Sequence, residues 1–276
     1  MPLGSHHIVG EVRQHEQKRV SFFCLDEQTG HVEWKDRTFD EPWWIGIEAA
    51  THHMVILHTY EKPDLPQHRE MIAVDLASGR ELWRTSDVTF WFLTSTHVYG
   101  IQQRFESRVI QEIVLLTGEV VRSFDEMSPD LSRIRASAEA NIQTGDIALP
   151  LPAVLGEESE RNRRLARWCG DSREVTGVES LELDNYLLVS YYVRTGDEQQ
   201  RPAFDNHFRV IDSANEKLLH VEVLASSVPA PVPDTFYVRA GKVISIKDLT
   251  VLRAQILPPS ALRETRTSAE DTRSQR

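Results

Sequence analysis

Cysteine is nearly absent from this chain: 276 residues contain only Cys24 and Cys169. Two thiols cannot build a disulfide framework or a multi-cysteine metal centre. The plain reading is two reduced thiols, and Cys24 sits inside the apolar run 20–25, as in a buried strand. Long apolar runs are missing too. None approaches the roughly 20 residues that a membrane-spanning helix needs. The start, 1–7, has no basic segment followed by an apolar stretch, so no export signal is read there and a cytoplasmic location is expected. Positive charge is in deficit, with a formal net charge of −11. A phosphate backbone or an anionic lipid surface calls for the opposite sign, so neither nucleic acid nor a membrane is the expected partner. Also lacking are a phosphate loop, a nucleophile elbow and any Ser/His/Asp pattern in a recognisable context.

What is present is a repeat. Phe22 to Trp34 runs as an apolar strand, Asp26, a short turn ending in Gly30, then a strand carrying Trp34. Met71 to Trp83 repeats it with Asp75, Ser78 and Gly79 at the same spacing. A third copy keeps Thr117 and Gly118 and has Phe124 near the tryptophan position. A fourth is built on Asp212, where Asn215 is expected to supply the left-handed turn residue, and a short fifth on Asp248. Each piece has a physical role. The aspartate accepts N–H bonds across the turn, glycine takes the positive φ, and tryptophan covers a neighbouring unit.

Gly30 to Gly79 is 49 residues, Gly79 to Gly118 is 39 and Asp212 to Asp248 is 36, with a gap of about twice this between the third and fourth copies; a four-stranded propeller blade takes roughly 40–50. Strands such as 43–47, 54–60, 90–94, 97–101 and 186–193 fill the intervals. The expected fold class is all-β, a β-propeller of five or six blades over residues 7–257. A sixth unit is allowed between about 125 and 180, where 146–154 carries two prolines and reads at best as an edge strand. The arginine-rich stretch 157–168 reads as a surface loop or a short solvated helix. Residues 258–276 read as a disordered tail. The first unit reads as short of its innermost strand, since the chain begins almost at its second, 7–13.

The units Asp26 to Trp34 and Asp75 to Trp83 resemble the repeats of PQQ-type quinoprotein propellers. The stretch from Glu41 through His68 to Trp83, with 189–192 and 235–248, also resembles an uncharacterised bacterial domain family of unknown function. That resemblance implies a cytoplasmic-type propeller with no assigned activity. Quinoprotein enzymes use a calcium-binding carboxylate set, an adjacent-cysteine disulfide and usually an export signal. None maps onto this chain, so no quinone and no other cofactor is expected.

His52, His53, His58 and His68 form the densest histidine cluster and can bind a metal if strands gather them; surface and packing histidines are the plainer reading. Trp43 and Trp44 point to opposite faces of a strand, one to the core. Glu41, Glu48, Asp64 and Glu70 invite a paired-carboxylate reading that no spacing fixes. Arg161, Arg163, Arg164 and Arg167 make a small basic run, read as a solvated face. The leading expectation is a non-enzymatic scaffold that binds a protein or small ligand, with Trp43, Trp44, His58 and His68 as its face. The alternative is a small propeller hydrolase or lyase with a pore-lining carboxylate/histidine site.

Overall fold

The computed structural model describes residues 6–61, 67–105, 107–140, 147–155, 159–170, 174–195 and 202–257. The tail expected at 258–276 and the candidate Asp64 lie outside the described residues. The chain divides into two compact units, Met1–Gly145 and Asp146–Arg276.

Unit one holds three antiparallel meanders in succession. The first has three strands, β1 (His7–Gln14), β2 (Arg19–Asp26) and β3 (Val32–Arg37). The second is β4 (Ile45–Ala50), β5 (Met54–Tyr60), β6 (His68–Asp75) and β7 (Glu81–Thr85). The third is β8 (Val88–Leu93), β9 (His97–Gln103), β10 (Arg108–Val114) and β11 (Val120–Asp125), followed by helix α1 (Pro129–Ala140). Among the described residues the first sheet does lack a fourth strand.

The repeated turns form as their residues dictate. The Asp26 carboxylate accepts the N–H groups of Gln28 and Thr29 and the Thr29 hydroxyl, and Gly30 closes the turn at φ 72°. Asp75 does the same for Ser78, with Gly79 at φ 66°. The outer-strand tryptophan then reaches the next sheet. Trp34 donates its indole N–H to the Leu76 carbonyl at 2.7 Å, and Trp83 donates to the Leu115 carbonyl at 2.9 Å. Each ring lies on the glycine of the turn it reaches. A Cβ on Gly79 would sit 2.7 Å from Trp34, and one on Gly118 2.6 Å from Trp83. The third copy ends the series. Phe124 has no N–H to offer and packs with Tyr99, Ile110 and Leu131, the last from α1.

Unit two begins with two short strands, β12 (Ile147–Ala148) and β13 (Leu151–Ala153), then helix α2 (Glu160–Cys169). The long strands β14 (Val175–Leu183), β15 (Tyr186–Arg194), β16 (Phe204–Asp212) and β17 (Lys217–Val228) follow, with β13 at their edge. The last sheet is β18 (Phe236–Arg239), β19 (Lys242–Lys247) and β20 (Val251–Ile256), with β12 beside β18. Both proline-flanked strands are thus terminal in their sheets, where a missing N–H costs no ladder bond.

The fold class is all-β of the propeller type, built of antiparallel blades, five among the described residues. The stretch 125–180 forms no sixth blade there. It supplies α1, α2 and edge strands to the last two sheets. Two local readings change. The left-handed residue of the fourth turn is Glu216, φ 49°, not Asn215. The Asn215 side chain donates to Asp212 Oδ2 at 2.9 Å, and the positive φ falls one residue later. The arginine-rich stretch is a helix that buries Leu165 and Cys169, with Ser159 as its N-cap. Its charges are engaged: Arg161 bonds Ser180, Arg164 the Ser213 carbonyl, and Arg167 Glu216.

Candidate functional site

The densest chemistry in unit one lies on the second sheet. In a regular ladder, side chains alternate between faces. Gly46 of β4 stands opposite His58 of β5, and His58 stands opposite Met71 of β6. Two irregularities break the alternation. Ile47 pairs with Leu57 but Ala49 with Ile56, so Glu48 is an extra residue in β4. Thr59 pairs with Glu70 but Tyr60 with His68, so Arg69 is an extra residue in β6. Bulges of this kind re-aim side chains. Glu48 already shares the face of Gly46 and His58 by alternation, and the bulge at Arg69 brings His68 to that face beside Tyr60.

The resulting cluster is tight. Glu48 Oε2 lies 2.9 Å from His58 Nδ1 and 2.6 Å from His68 Nδ1. The two imidazoles stack with centroids 3.6 Å apart and planes 9° apart. The Tyr60 ring stands edge-on to His58 at 5.0 Å and to His68 at 5.4 Å, and Trp44 stands edge-on to Tyr60 at 6.1 Å. The His58 side chain is only 7% exposed, Glu48 15% and His68 31%. The His58 contact has the distance of an ion pair but not the alignment of a hydrogen bond. Neither nitrogen of His58 nor Glu48 Oε2 has a hydrogen-bond partner. Burial lowers the His68 pKa, the neighbouring His58 lowers it further, and Glu48 opposes both.

Gly46 makes room for this arrangement. A Cβ there would lie 3.2 Å from His58 Cε1 and 3.5 Å from the Arg13 guanidinium. Arg13 itself ties β1 to β4 by donating to the Trp43 carbonyl at 3.2 Å and the Ile45 carbonyl at 2.7 Å.

The other sequence candidates separate. Trp43 belongs to the core at 9% exposure, with Lys18, Arg13 and His15 against its ring. Trp44 is half-buried and faces Tyr60. His52 and His53 are exposed on the turn between β4 and β5, apart from the cluster. Glu41 is committed to the chain, accepting the N–H groups of Trp43 and Trp44 at 2.9 and 2.8 Å. Glu70 accepts the Thr59 hydroxyl at 3.0 Å. Cys24 and Cys169 are free and buried, and burial pushes both thiols up to about 12, which suits neither nucleophile nor ligand. Tyr60 and Arg13 were not legible as site residues, although Tyr60 shares a strand face with His58 by simple alternation.

An open depression elsewhere in the unit is lined by Arg37, Asp40, Arg80, Glu81 and Arg84. Arg84 pairs with Glu81 and Asp40, and Arg37 donates to the Ser78 carbonyl.

The profile of a domain family of unknown function, DUF4905, matches residues 4–83, a span that contains Glu48, His58 and His68. No curated protein matches the chain. Similar solved structures include the WD40 domain of Neurospora crassa Pan2, at 9% identity and TM-score 0.25, covering 91% of this chain and 65% of that one. Hydrazine synthase of Kuenenia stuttgartiensis is 13% identical at TM-score 0.26, covering 87% and 62%. Hsv2 of Kluyveromyces lactis is 10% identical at TM-score 0.25, covering 92% and 75%. The chain therefore spans less than two thirds of the first two. The fold assignment rests on the hydrogen-bonded sheets, not on these likenesses.

Proposed function

We propose that this chain is a non-enzymatic binding scaffold, with residues 7–257 acting as one propeller domain and the second sheet carrying the ligand face. Trp44, Tyr60, His58 and His68 form that face, and Trp43 fixes it from the core side. The observation that carries the reading is the cluster completed by the Arg69 bulge, two imidazoles and a carboxylate under half-buried aromatic rings. Aromatic rings with a polar handle give large contact area at low entropic cost. Glu41 and Glu70 are spent on structural bonds, which leaves Glu48 with the imidazoles rather than in a carboxylate pair. The quinoprotein-like repeat is read as a folding device, since its aspartate closes a turn and its tryptophan seats on the next blade. The two free buried thiols accord with a reducing compartment, and the proposal places the chain in the cytoplasm.

The test is photo-crosslinking in intact host cells. A photoreactive residue at position 44 is expected to capture a defined adduct, absent when it is placed at the exposed Val121. His68→Ala should abolish the adduct at 44. Identical adducts from both positions, or indifference to His68→Ala, would sink the assignment of this face.

A further inference from the structure

The cluster has the composition of a metal centre. Buried polar atoms are normally hydrogen-bonded. His58 is more than nine-tenths buried, yet both its nitrogens lack partners, as does the Glu48 oxygen that both imidazoles approach. Three donor atoms, one ring nitrogen from each histidine and one carboxylate oxygen, all lie within 4.8 Å of one another. We propose that Glu48, His58 and His68 hold one divalent first-row transition metal ion of the zinc class. The proposal rests on the binding face described above and names what that face holds.

The donor chemistry selects the class. Two imidazoles and one carboxylate suit zinc and its neighbours, whereas calcium and magnesium call for oxygen donors. Three protein ligands leave a fourth position for water or for a donor on an incoming ligand. His68, about one-third exposed, supplies the route for entry. The scale also fits. Zinc bonds of about 2.0–2.1 Å in a tetrahedral site set ligand atoms about 3.3 Å apart. The observed contacts of 2.6 and 2.9 Å then need to open by several tenths of an ångström, and the two imidazoles, now stacked 9° from parallel, must tilt apart so that both Nδ1 lone pairs meet the ion.

The surroundings hold the donors in place. His68 is placed beside His58 by the bulge at Arg69, and both rings lie against the Tyr60 edge. Gly46 opposite His58 keeps the ring free of a neighbouring side chain. Coordination through Nδ1 would satisfy one of the two orphaned His58 nitrogens and the orphaned carboxylate oxygen together. His52 and His53, exposed on their turn, take no part.

The experiment uses the purified full chain, stripped with a chelator and titrated with Zn²⁺ against a chromophoric competitor. One equivalent is expected, with Co²⁺ giving the visible band of a low-coordinate nitrogen/oxygen site and excess Mg²⁺ failing to compete. His68→Ala, at the rim, should fold as the parent by circular dichroism and weaken binding at least ~100-fold. Glu48→Gln should weaken it as well. The double variant His52→Ala, His53→Ala should keep full affinity. Absence of stoichiometric binding by the parent, binding unmoved by His68→Ala, or binding lost in the His52/His53 variant would each overturn the proposal. Metal titration needs no partner, so its failure leaves the crosslink at position 44 to be judged alone, and the converse also holds.

Discussion

The two units solve the same packing problem by different means. In unit one a single device is used twice: an indole N–H from one sheet meets a backbone carbonyl three residues before the glycine of the next turn, and the ring lies on that glycine. Unit two has no such clasp among its described residues. It relies on long strands and on a buried polar knot in which Ser190 bonds Asn206 at 3.1 Å and Thr235 at 2.8 Å. Five of the six tryptophans fall in unit one, and the remaining one is Trp168. A reusable clasp leaves a pattern in the sequence, whereas a knot of three residues drawn from three strands or loops leaves none.

The sharpest way to break this contrast is at the turn glycines. Gly79→Ala forces a left-handed alanine and drives its Cβ into Trp34, and should cost roughly 2–4 kcal/mol in urea unfolding. Gly30→Ala occupies the same place in the repeat at φ 72°, but nothing lies within 4 Å of its Cβ. It should cost only about 1 kcal/mol. Equal losses would show that the tryptophan seat contributes nothing.

The knot is tested by Ser190→Ala. It leaves the Asn206 amide and the Thr235 hydroxyl short of a partner in a fully buried place and should cost about 1–3 kcal/mol. A neutral result would mean that unit two is held by its apolar core alone.

The smallest effect concerns Glu179, where burial raises the pKa against the opposing N–H bonds of Asp234 and Thr235. An acid raised on folding contributes stability that is full below its unfolded pKa and lost as pH rises through the folded value. Glu179→Gln keeps an acceptor for Asp234 and removes that loss. The variant should match the parent near about pH 4 and exceed it at about pH 7. Melts that shift equally at both pH values would refute the assignment.

The blade pattern was legible because Asp26, Asp75, Gly30 and Gly79 each act locally, through side-chain bonds or a positive φ that residue type alone announces. The helices were harder. α1 buries Leu131 but shows no broad apolar stripe, and α2 hides Leu165 and Cys169 among arginines that reach out to bond unit two's own turns. Residue preference points to Asn215 for the left-handed turn position, but its side chain is committed to Asp212. In the site, His58 and His68 were named, but alongside His52 and His53, and Glu48 stood with unrelated carboxylates. Alternation counted from Met71 places His68 on the wrong face. Only the extra Arg69 corrects it, and a bulge without glycine or proline carries no residue-type signal.

The indole clasps also run in one direction along the chain. Trp34 finds its acceptor 42 residues later and Trp83 finds its own 32 residues later. During vectorial synthesis each blade therefore emerges with an uncovered indole, which stays so until the next hairpin leaves the ribosome. Loss of a later blade strands a donor already made, whereas loss of an earlier one only bares a glycine, so truncations from the two ends of this unit are not equivalent injuries.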